Sequence, residues 1–380
     1  MTSISKESVP HANTAARPPA WLHWLAIAGA VFTWPLLLVG GTVTVYRVGM
    51  AVPDWPTTFQ SNMFLYNMFE APFGPFAEHA HRLYGAAVGL ACIGIAGAFT
   101  FSRIGRAGIL PFALVVASAL LAIINPPGTL FGLSKAMAGF LAVSTVALLY
   151  AAYAGLLRKD LLLALVWFLI AAVTGQGVLG GIRVSRNSTL LACVHGCTAQ
   201  LFFGLMIAVV VLTSARWHEL TTPQPDTMRL VRRGRATLVM LLLQIISGAY
   251  VRHFGSSLAV MIHATLALAV VGHVVPLAIR VLKTGDSVRF LRGSSIWMLV
   301  FTSAQIVLGI TAWLILRPFD GIDRTVSPLQ ALIRVSHQGA GALLLASLIA
   351  FVMLSARRLT RASNTASVPS IESLNREVLA

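Results

Sequence analysis

The stretch Glu78-His79-Ala80-His81-Arg82 stands at the start of a long apolar run. A carboxylate, two imidazoles and a guanidinium therefore lie where a helix of about 20 apolar residues would enter a membrane. Ionisable side chains at membrane depth are costly and usually mark a functional site. The stretch thus predicts a membrane fold and places a candidate site at the mouth of one of its helices.

The composition agrees with a polytopic membrane protein. Of the 380 residues, 57% are hydrophobic and only 11% are charged, whereas a soluble domain carries about 25% charged residues. The formal net charge is +16, but the basic residues are spread over short loops and form no contiguous face for a nucleic-acid duplex. We therefore expect membrane lipid around the chain and no nucleic-acid partner.

Ten runs have the length and apolarity of membrane helices. The third run is short and ends in the loop signal Asn125-Pro126-Pro127-Gly128. The expected fold is an all-α polytopic membrane protein with about ten transmembrane helices. Their expected ranges are 21–43, 76–102, 108–125, 135–157, 161–182, 189–214, 235–252, 257–280, 294–316 and 328–356.

Basic residues concentrate in alternate loops, after the second, fourth, sixth, eighth and tenth helices. By the positive-inside rule these loops are cytoplasmic, and so are both termini. We expect a multi-pass protein of a bacterial-type inner membrane. The cysteines Cys92, Cys193 and Cys197 lie within apolar runs, where cysteine behaves as a small hydrophobic residue, and none is placed to close a disulfide across an outside loop.

A shared helix ending indicates an internal repeat. It reads Gln176-Gly-Val-Leu-Gly180-Gly181, Gln244-Ile-Ile-Ser-Gly248-Ala249 and Gln305-Ile-Val-Leu-Gly309-Ile310, with a looser version, Gly40-Gly41-Thr42, in the first helix. A loop follows each ending, and then a helix with a histidine near its outer end. These four histidines are His81, His195, His263 and His337.

The repeat predicts four helix pairs, with one extra pair inserted at about 103–158. Two pairs make a four-helix bundle, so we expect two bundles of eight core helices related by a pseudo-twofold axis. The expected division is a disordered cytoplasmic tail 1–20, an N-terminal bundle 21–214 that includes the inserted pair, a cytoplasmic linker 215–234, a C-terminal bundle 235–356 and a cytoplasmic tail 357–380.

The four repeat-positioned histidines predict haem ligation. Two neutral imidazoles on facing helices can bind one iron axially, and a flat macrocycle needs a small residue on the same helix face, four positions on. Such a residue follows each histidine: Gly85, Ala199, Ala267 and Gly341. We predict two sites toward the outer face, His81 with His195 and His263 with His337. The alternative for a lone membrane histidine is an interhelical hydrogen bond. Dispersed histidines without ligand-spaced cysteines or carboxylates disfavour zinc.

Four arginines lie within reach of the histidine-bearing helix ends: Arg82, Arg183, Arg252 and Arg334. They are candidates for neutralising haem propionates, since the guanidinium matches a carboxylate. Interfacial anchoring is the alternative for each of them. Glu78, one turn before His81, is a candidate acid/base group, although it could instead pair with Arg82 at i+4. The other three histidines have no carboxylate at this position.

Together these motifs resemble those of the haem A synthase family. The resemblance covers about 21–102 and 160–356. It is carried by Glu78–Arg82, by Gly40-Gly41-Thr42 leading to Pro53-Asp54-Trp55-Pro56, by Gln176–Gly181 and by Gly248-Ala-Tyr-Val-Arg252-His253. It implies a membrane oxidoreductase that oxidises a methyl group of haem O to a formyl group, giving haem A for terminal oxidases.

The resemblance also implies roles for the candidate residues. Haem b would be ligated by His263 and His337, haem O would lie between His81 and His195 as the substrate, and Glu78 would be the catalytic carboxylate. Haem O synthase and oxidase assembly factors are the implied protein partners, and the sequence does not specify the electron acceptor.

This sequence departs from the family pattern in three places, one of which is the very short outside loop between Arg252 and His263. Many members carry a cysteine pair in the first outside loop, where this chain has Val52 and Thr57–Thr58, and the inserted helix pair is unusual. One alternative function is a dihaem b-type cytochrome that passes electrons between quinol and a partner protein. Another is a transporter with intramembrane proton sites. Glu78 favours the synthase, because electron transfer alone needs no such carboxylate.

Overall fold

The computed structural model describes residues 17–125, 129–130, 133–220, 227–316 and 325–366, and these residues are predominantly helical. The helices are α1 (Ala20–Val45), α2 (Phe73–Ile104), α3 (Ile109–Ile124), α4 (Lys135–Ala152), α5 (Leu161–Ser185), α6 (Thr189–Thr213), α7 (Ala215–Glu219), α8 (Thr227–Phe254), α9 (Ser257–Lys283), α10 (Arg292–Leu316) and α11 (Pro328–Ala366). Two small antiparallel hairpins join β1 (Thr57–Thr58) to β2 (Ser61–Asn62) and β3 (Thr129–Leu130) to β4 (Leu133–Ser134). The predicted all-helical fold class is confirmed.

Nine helical segments of the described chain are long and apolar enough to cross a membrane, so the protein is a multi-pass membrane protein. One segment, Phe73–Ile124, contains both α2 and α3. Gly105, with φ of 57°, interrupts it, and glycine adopts this left-handed conformation at little cost. The 16 residues of α3 span about 24 Å, less than the ~30 Å of a bilayer core. The sequence predicted ten spanning helices, and the tenth is this short α3.

The core consists of two four-helix bundles. In the first, α1, α2, α5 and α6 pack in a ring, and in the second α8, α9, α10 and α11 do the same. Trp167 and Phe99 are fully buried in the first bundle, and Phe351 and Met298 in the second.

The two bundles meet through α1 against α11, α6 against α11, and α6 against α8. Exchanging α1 with α8 and α6 with α11 leaves this set of contacts unchanged, as a pseudo-twofold relation requires. Trp34 Nε1 donates a hydrogen bond to the carbonyl of Gly339 across this interface, at 3.1 Å.

The inserted pair lies outside the eight-helix core. Helix α3 packs on α4, and α4 packs on α5 of the first bundle. At Gly139 of α4 the two inserted helices approach closely, because a Cβ there would lie 2.7 Å from the backbone nitrogen of Ala122. The eight core helices therefore keep the arrangement that the repeat predicts.

The largest difference in helix bounds is at the end of α11, which continues to Ala366 although the sequence predicted an end at 356 and a tail from 357. A second difference concerns the predicted linker 215–234. It contains α7, and α8 already begins at Thr227. The N-terminal part of α8 is held by packing, because Gly234 lies against Phe351 and Val352 of α11. Residues 221–226 of the linker, 1–16 and 367–380 of the predicted tails, and the predicted loop Pro126–Gly128 lie outside the described residues.

Candidate functional site

The structure brings together both predicted histidine pairs. His81 of α2 and His195 of α6 lie on diagonally opposite helices of the first bundle, with ring centroids 6.4 Å apart and an interplanar angle of 86°. His263 of α9 and His337 of α11 occupy the equivalent positions in the second bundle, at 6.3 Å and 76°. The two pairs therefore have nearly the same geometry at the two bundle axes.

This separation matches a simple geometric expectation for two axial ligands. With metal–nitrogen bonds of about 2.1 Å and each nitrogen about 1.1 Å from its ring centre, two axial imidazole centroids lie about 6.4 Å apart. Among the described residues, no group of three or more His, Cys, Asp or Glu side chains could hold a metal ion. The geometry of each pair fits a metal bound between two opposed rings.

Three of the four histidines have a ring nitrogen that no protein group satisfies among the described residues. The Nδ1 atoms of His81, His195 and His337 are buried and have no hydrogen-bond partner among the described residues. The Nδ1 atom of His263 lies 2.9 Å from the hydroxyl of Ser247. A buried polar atom without a partner costs about 1–3 kcal/mol. In three of the four rings, the Nδ1 atom is therefore available for a further hydrogen bond or a metal bond.

Each imidazole lies against a glycine of the repeated helix ending. A Cβ atom on the glycine would lie 2.9–3.3 Å from the Cε1 atom of the ring in all four units, which pair Gly40 with His81, Gly180 with His195, Gly248 with His263 and Gly309 with His337. The sequence revealed these glycines as part of a repeat but not as ring contacts. The signal was available, because Gly180 and Gly248 precede their histidines by the same interval.

The glutamine of the repeated ending joins the two helices of a pair. Gln244 Nε2 donates to the carbonyl of His263 at 3.0 Å, and Gln305 Nε2 donates to the carbonyl of His337 at 2.5 Å. The bond fixes the backbone of the histidine itself. This explains why glutamine precedes the glycine by one helical turn in these units.

Glu78 and Arg82 attach the α1–α2 loop, residues 46–72, to α2. Glu78 is 2% exposed; its Oε2 accepts from the backbone nitrogen of Val52 at 2.8 Å and its Oε1 from Arg82 at 2.9 Å. Arg82 also donates to the carbonyls of Val52, Asp54 and Thr57 at 2.7–3.1 Å. The i+4 ion pair considered from the sequence is present, while the catalytic role of Glu78 and the propionate role of Arg82 stay predictions.

Two of the other candidate arginines, Arg183 and Arg252, donate to carbonyl and amide oxygens. Arg183 donates to the carbonyl of Gly49 at 2.9 Å, and Arg252 donates to the side chain of Gln338 and to the carbonyl of Arg334. Among the described residues, Arg183, Arg252 and Arg334 form no ion pair with a carboxylate. Arg183 lies within electrostatic range of Glu78. Arg252 and Arg334 have no counter-ion among the described residues, and a partly buried charge without a counter-ion is costly, so these two arginines can accept an anionic ligand.

Asp54 fixes the turn of the α1–α2 loop above this site. Burial alone would raise the pKa of its carboxyl, but hydrogen bonds from Thr57 Oγ1 and the backbone nitrogens of Gln60 and Phe59 outweigh burial and lower that pKa below its ordinary value. Because its pKa is lowered, the Asp54 carboxylate stabilises the folded turn at pH values above its ordinary pKa of about 4. This stabilisation is lost as the pH falls through the lowered pKa.

Comparison of the chain with protein-family models, with curated proteins and with solved structures found no match.

The glycine contacts generate a prediction about stability. The variant Gly248→Ala should place a methyl group against His263 and lower the free energy of unfolding by about 1–3 kcal/mol through overpacking. Gly272→Ala on α9 is the control, because a Cβ there meets nothing within 4 Å. Thermal unfolding of the purified variants measures the difference, and equal stability of the two would contradict the assigned contact.

Proposed function

We propose that this protein is a haem A synthase, a membrane oxidoreductase that oxidises a methyl group of haem O to a formyl group. The observation that carries the proposal is the equivalent placement of two opposed histidine pairs, one at the axis of each bundle, with centroids 6.4 and 6.3 Å apart. Two sites of the same geometry suit a protein that handles two haems.

The residues around the rings support haem over a bare metal ion. Each ring has a glycine beside it, and three Nδ1 atoms have no hydrogen-bond partner among the described residues. Arg252 and Arg334 form no ion pair with a carboxylate in the described part of the chain. Haem propionates are anionic and would neutralise these arginines. In the proposal, His263 and His337 ligate haem b, with Arg252 and Arg334 as the propionate partners of that bundle.

His81 and His195 would hold the substrate haem O in the first bundle, with Arg82 and Arg183 nearby. Haem b, when bound, would supply one-electron transfer for the oxidation. The chain itself would orient the substrate between the two rings. The α1–α2 loop, fixed to α2 by Arg82 and Glu78, would cover this site.

Glu78 is the proposed acid/base group of the first bundle. It lies at i−3 from His81, on the same helix face. Conversion of the methyl group and one water molecule to a formyl group releases four protons and four electrons. A carboxylate there could accept the protons, while the electrons would pass to the acceptor. The second bundle has Val260 and Arg334 at the equivalent positions. This asymmetry supports chemistry in the first bundle and electron transfer in the second.

A dihaem b-type cytochrome is the second candidate. One observation favours it: both Glu78 oxygens are already engaged, one by the backbone nitrogen of Val52 and the other by Arg82. In that case Glu78 only anchors the loop, and the protein exchanges electrons with quinol or a partner protein. As a synthase, the protein would instead work beside haem O synthase and oxidase assembly factors, and its electron acceptor stays open.

The proposed location is a bacterial-type inner membrane, with both termini cytoplasmic and the histidine pairs toward the outer face, because the basic loops alternate with poorly charged ones. A phosphatase reporter that is active only outside the cytoplasm should be inactive when fused after residue 366 and active when fused after Gly255. The reverse pattern would contradict the proposed orientation.

Pigment analysis tests the proposed function directly. The purified protein should contain haem B together with haem O or haem A, and His263→Ala should remove the haem b absorbance, because one axial ligand is lost. His273→Ala is the matched control, since His273 is an exposed residue of the same helix. Two haem B per chain would support the cytochrome instead, and a colourless protein would exclude both.

The role of Glu78 has its own test. Glu78→Gln keeps an oxygen that can accept from the loop but removes the charge, so haem binding should persist while conversion of supplied haem O falls by about 100-fold or more. Glu70→Gln, at an exposed glutamate of the same loop, should leave conversion unchanged. Full conversion by Glu78→Gln would assign Glu78 to loop anchoring alone.

A further inference from the structure

The inserted helices contact the α1–α2 loop at the C-terminal end of α3. Asn62 Nδ2 donates to the carbonyls of Ile123 and Ile124, at 3.0 and 3.1 Å. These carbonyls belong to the last turn of α3, where backbone acceptors lack partners within the helix. A side chain of the loop thus caps α3, and α3 in turn fixes the β1–β2 hairpin that carries Asn62.

A second contact joins the same loop to α4 and α5. The indole of Trp55 stacks on Phe140 of α4, with ring centroids 5.2 Å apart and an interplanar angle of 24°. Trp55 also lies against Gly181 of α5, where a Cβ would come within 2.7 Å of Cε2 of the indole. The preceding residue, Gly180, is the glycine that contacts His195. The loop therefore reaches the helix that supports one ring of the first pair.

The third attachment runs to α2, the helix that carries His81. Val52 donates to Glu78, and Arg82 donates to carbonyls of Val52 and Asp54. The segment 52–62 is thus held on one side by α2 and on the other by α3, α4 and α5. In the second bundle, the link between α8 and α9 is only Gly255 and Ser256, which leaves no comparable segment there to be held.

We propose that the inserted pair α3–α4 supports the α1–α2 loop over the first histidine pair, with Asn62, Trp55 and Phe140 as positioning residues. The inserted helices would then act on the first bundle alone, because they hold in place the segment that is bonded to Glu78 and Arg82. The support itself follows from the contacts of this chain, and only its effect on a bound haem rests on the proposed function.

Hydrogen–deuterium exchange of the purified full-length protein tests the support. The double variant Asn62→Ala, Phe140→Ala should speed exchange in peptides covering 52–62 by about 5- to 30-fold, as expected for the loss of a few weak contacts, with α2 and α6 unchanged. The control, Asn67→Ala with Leu141→Ala, removes an asparagine that accepts from the backbone nitrogen of Phe69 within the loop and an exposed residue of α4. It should leave this exchange unaltered.

A milder variant keeps the test decisive if the double variant does not fold. Asn62→Asp has the same size but replaces the donor by an oxygen facing two carbonyls, so it should also speed exchange of 52–62. Unchanged exchange in the folded variants overturns the proposed support, whatever pigment the protein contains. Faster exchange in a colourless protein keeps the support and excludes the haem function, so the two failures are distinguishable.

Discussion

Each bundle depends on the contact between an imidazole ring and a glycine on the preceding helix. In every helix pair the first helix supplies the glycine and the second supplies the histidine, as in Gly248 of α8 and His263 of α9. A side chain at the glycine would overlap the ring, so the contact fixes how closely the two helices approach. Two such pairs, placed with their rings facing each other, make one bundle, and two bundles make the core.

The first bundle carries a second glycine that the second bundle lacks. On α1, Gly41 follows Gly40 and lies against Gln338, and on α5, Gly181 follows Gly180 and lies against Trp55. The equivalent residues in the second bundle are Ala249 and Ile310. The additional glycines make room for groups from outside the bundle. The two bundles therefore differ in the groups that pack against them from outside, although their histidine rings are arranged alike.

Much of this architecture could be predicted from the sequence, because a membrane leaves few choices. Apolar runs of about 20 residues must be helices there, and the repeated glutamine and glycine gave the order of the pairs and thus the partners of His81 and His337. The contacts of Arg82 could not be predicted, since backbone carbonyls of a loop leave no residue signature. The same applies to Asn62, whose acceptors are the carbonyls of a helix end. The sequence showed that the third run is short and ends in a loop signal, but it did not show that Asn62 bonds to its last turn.

The neighbouring glycines of α1 connect the two histidine sites within a single helical turn. Gly40 lies against His81 of the first bundle, and Gly41 lies against Gln338, which follows His337 of the second bundle. Gln338 also donates to the carbonyl of Leu37 on α1 and accepts from Arg252. A tilt of α1 that altered one of these contacts would alter the other. Both sites therefore contact the same helix, α1. If binding at one site changed affinity at the other through this helix, the effect would be equal in both directions.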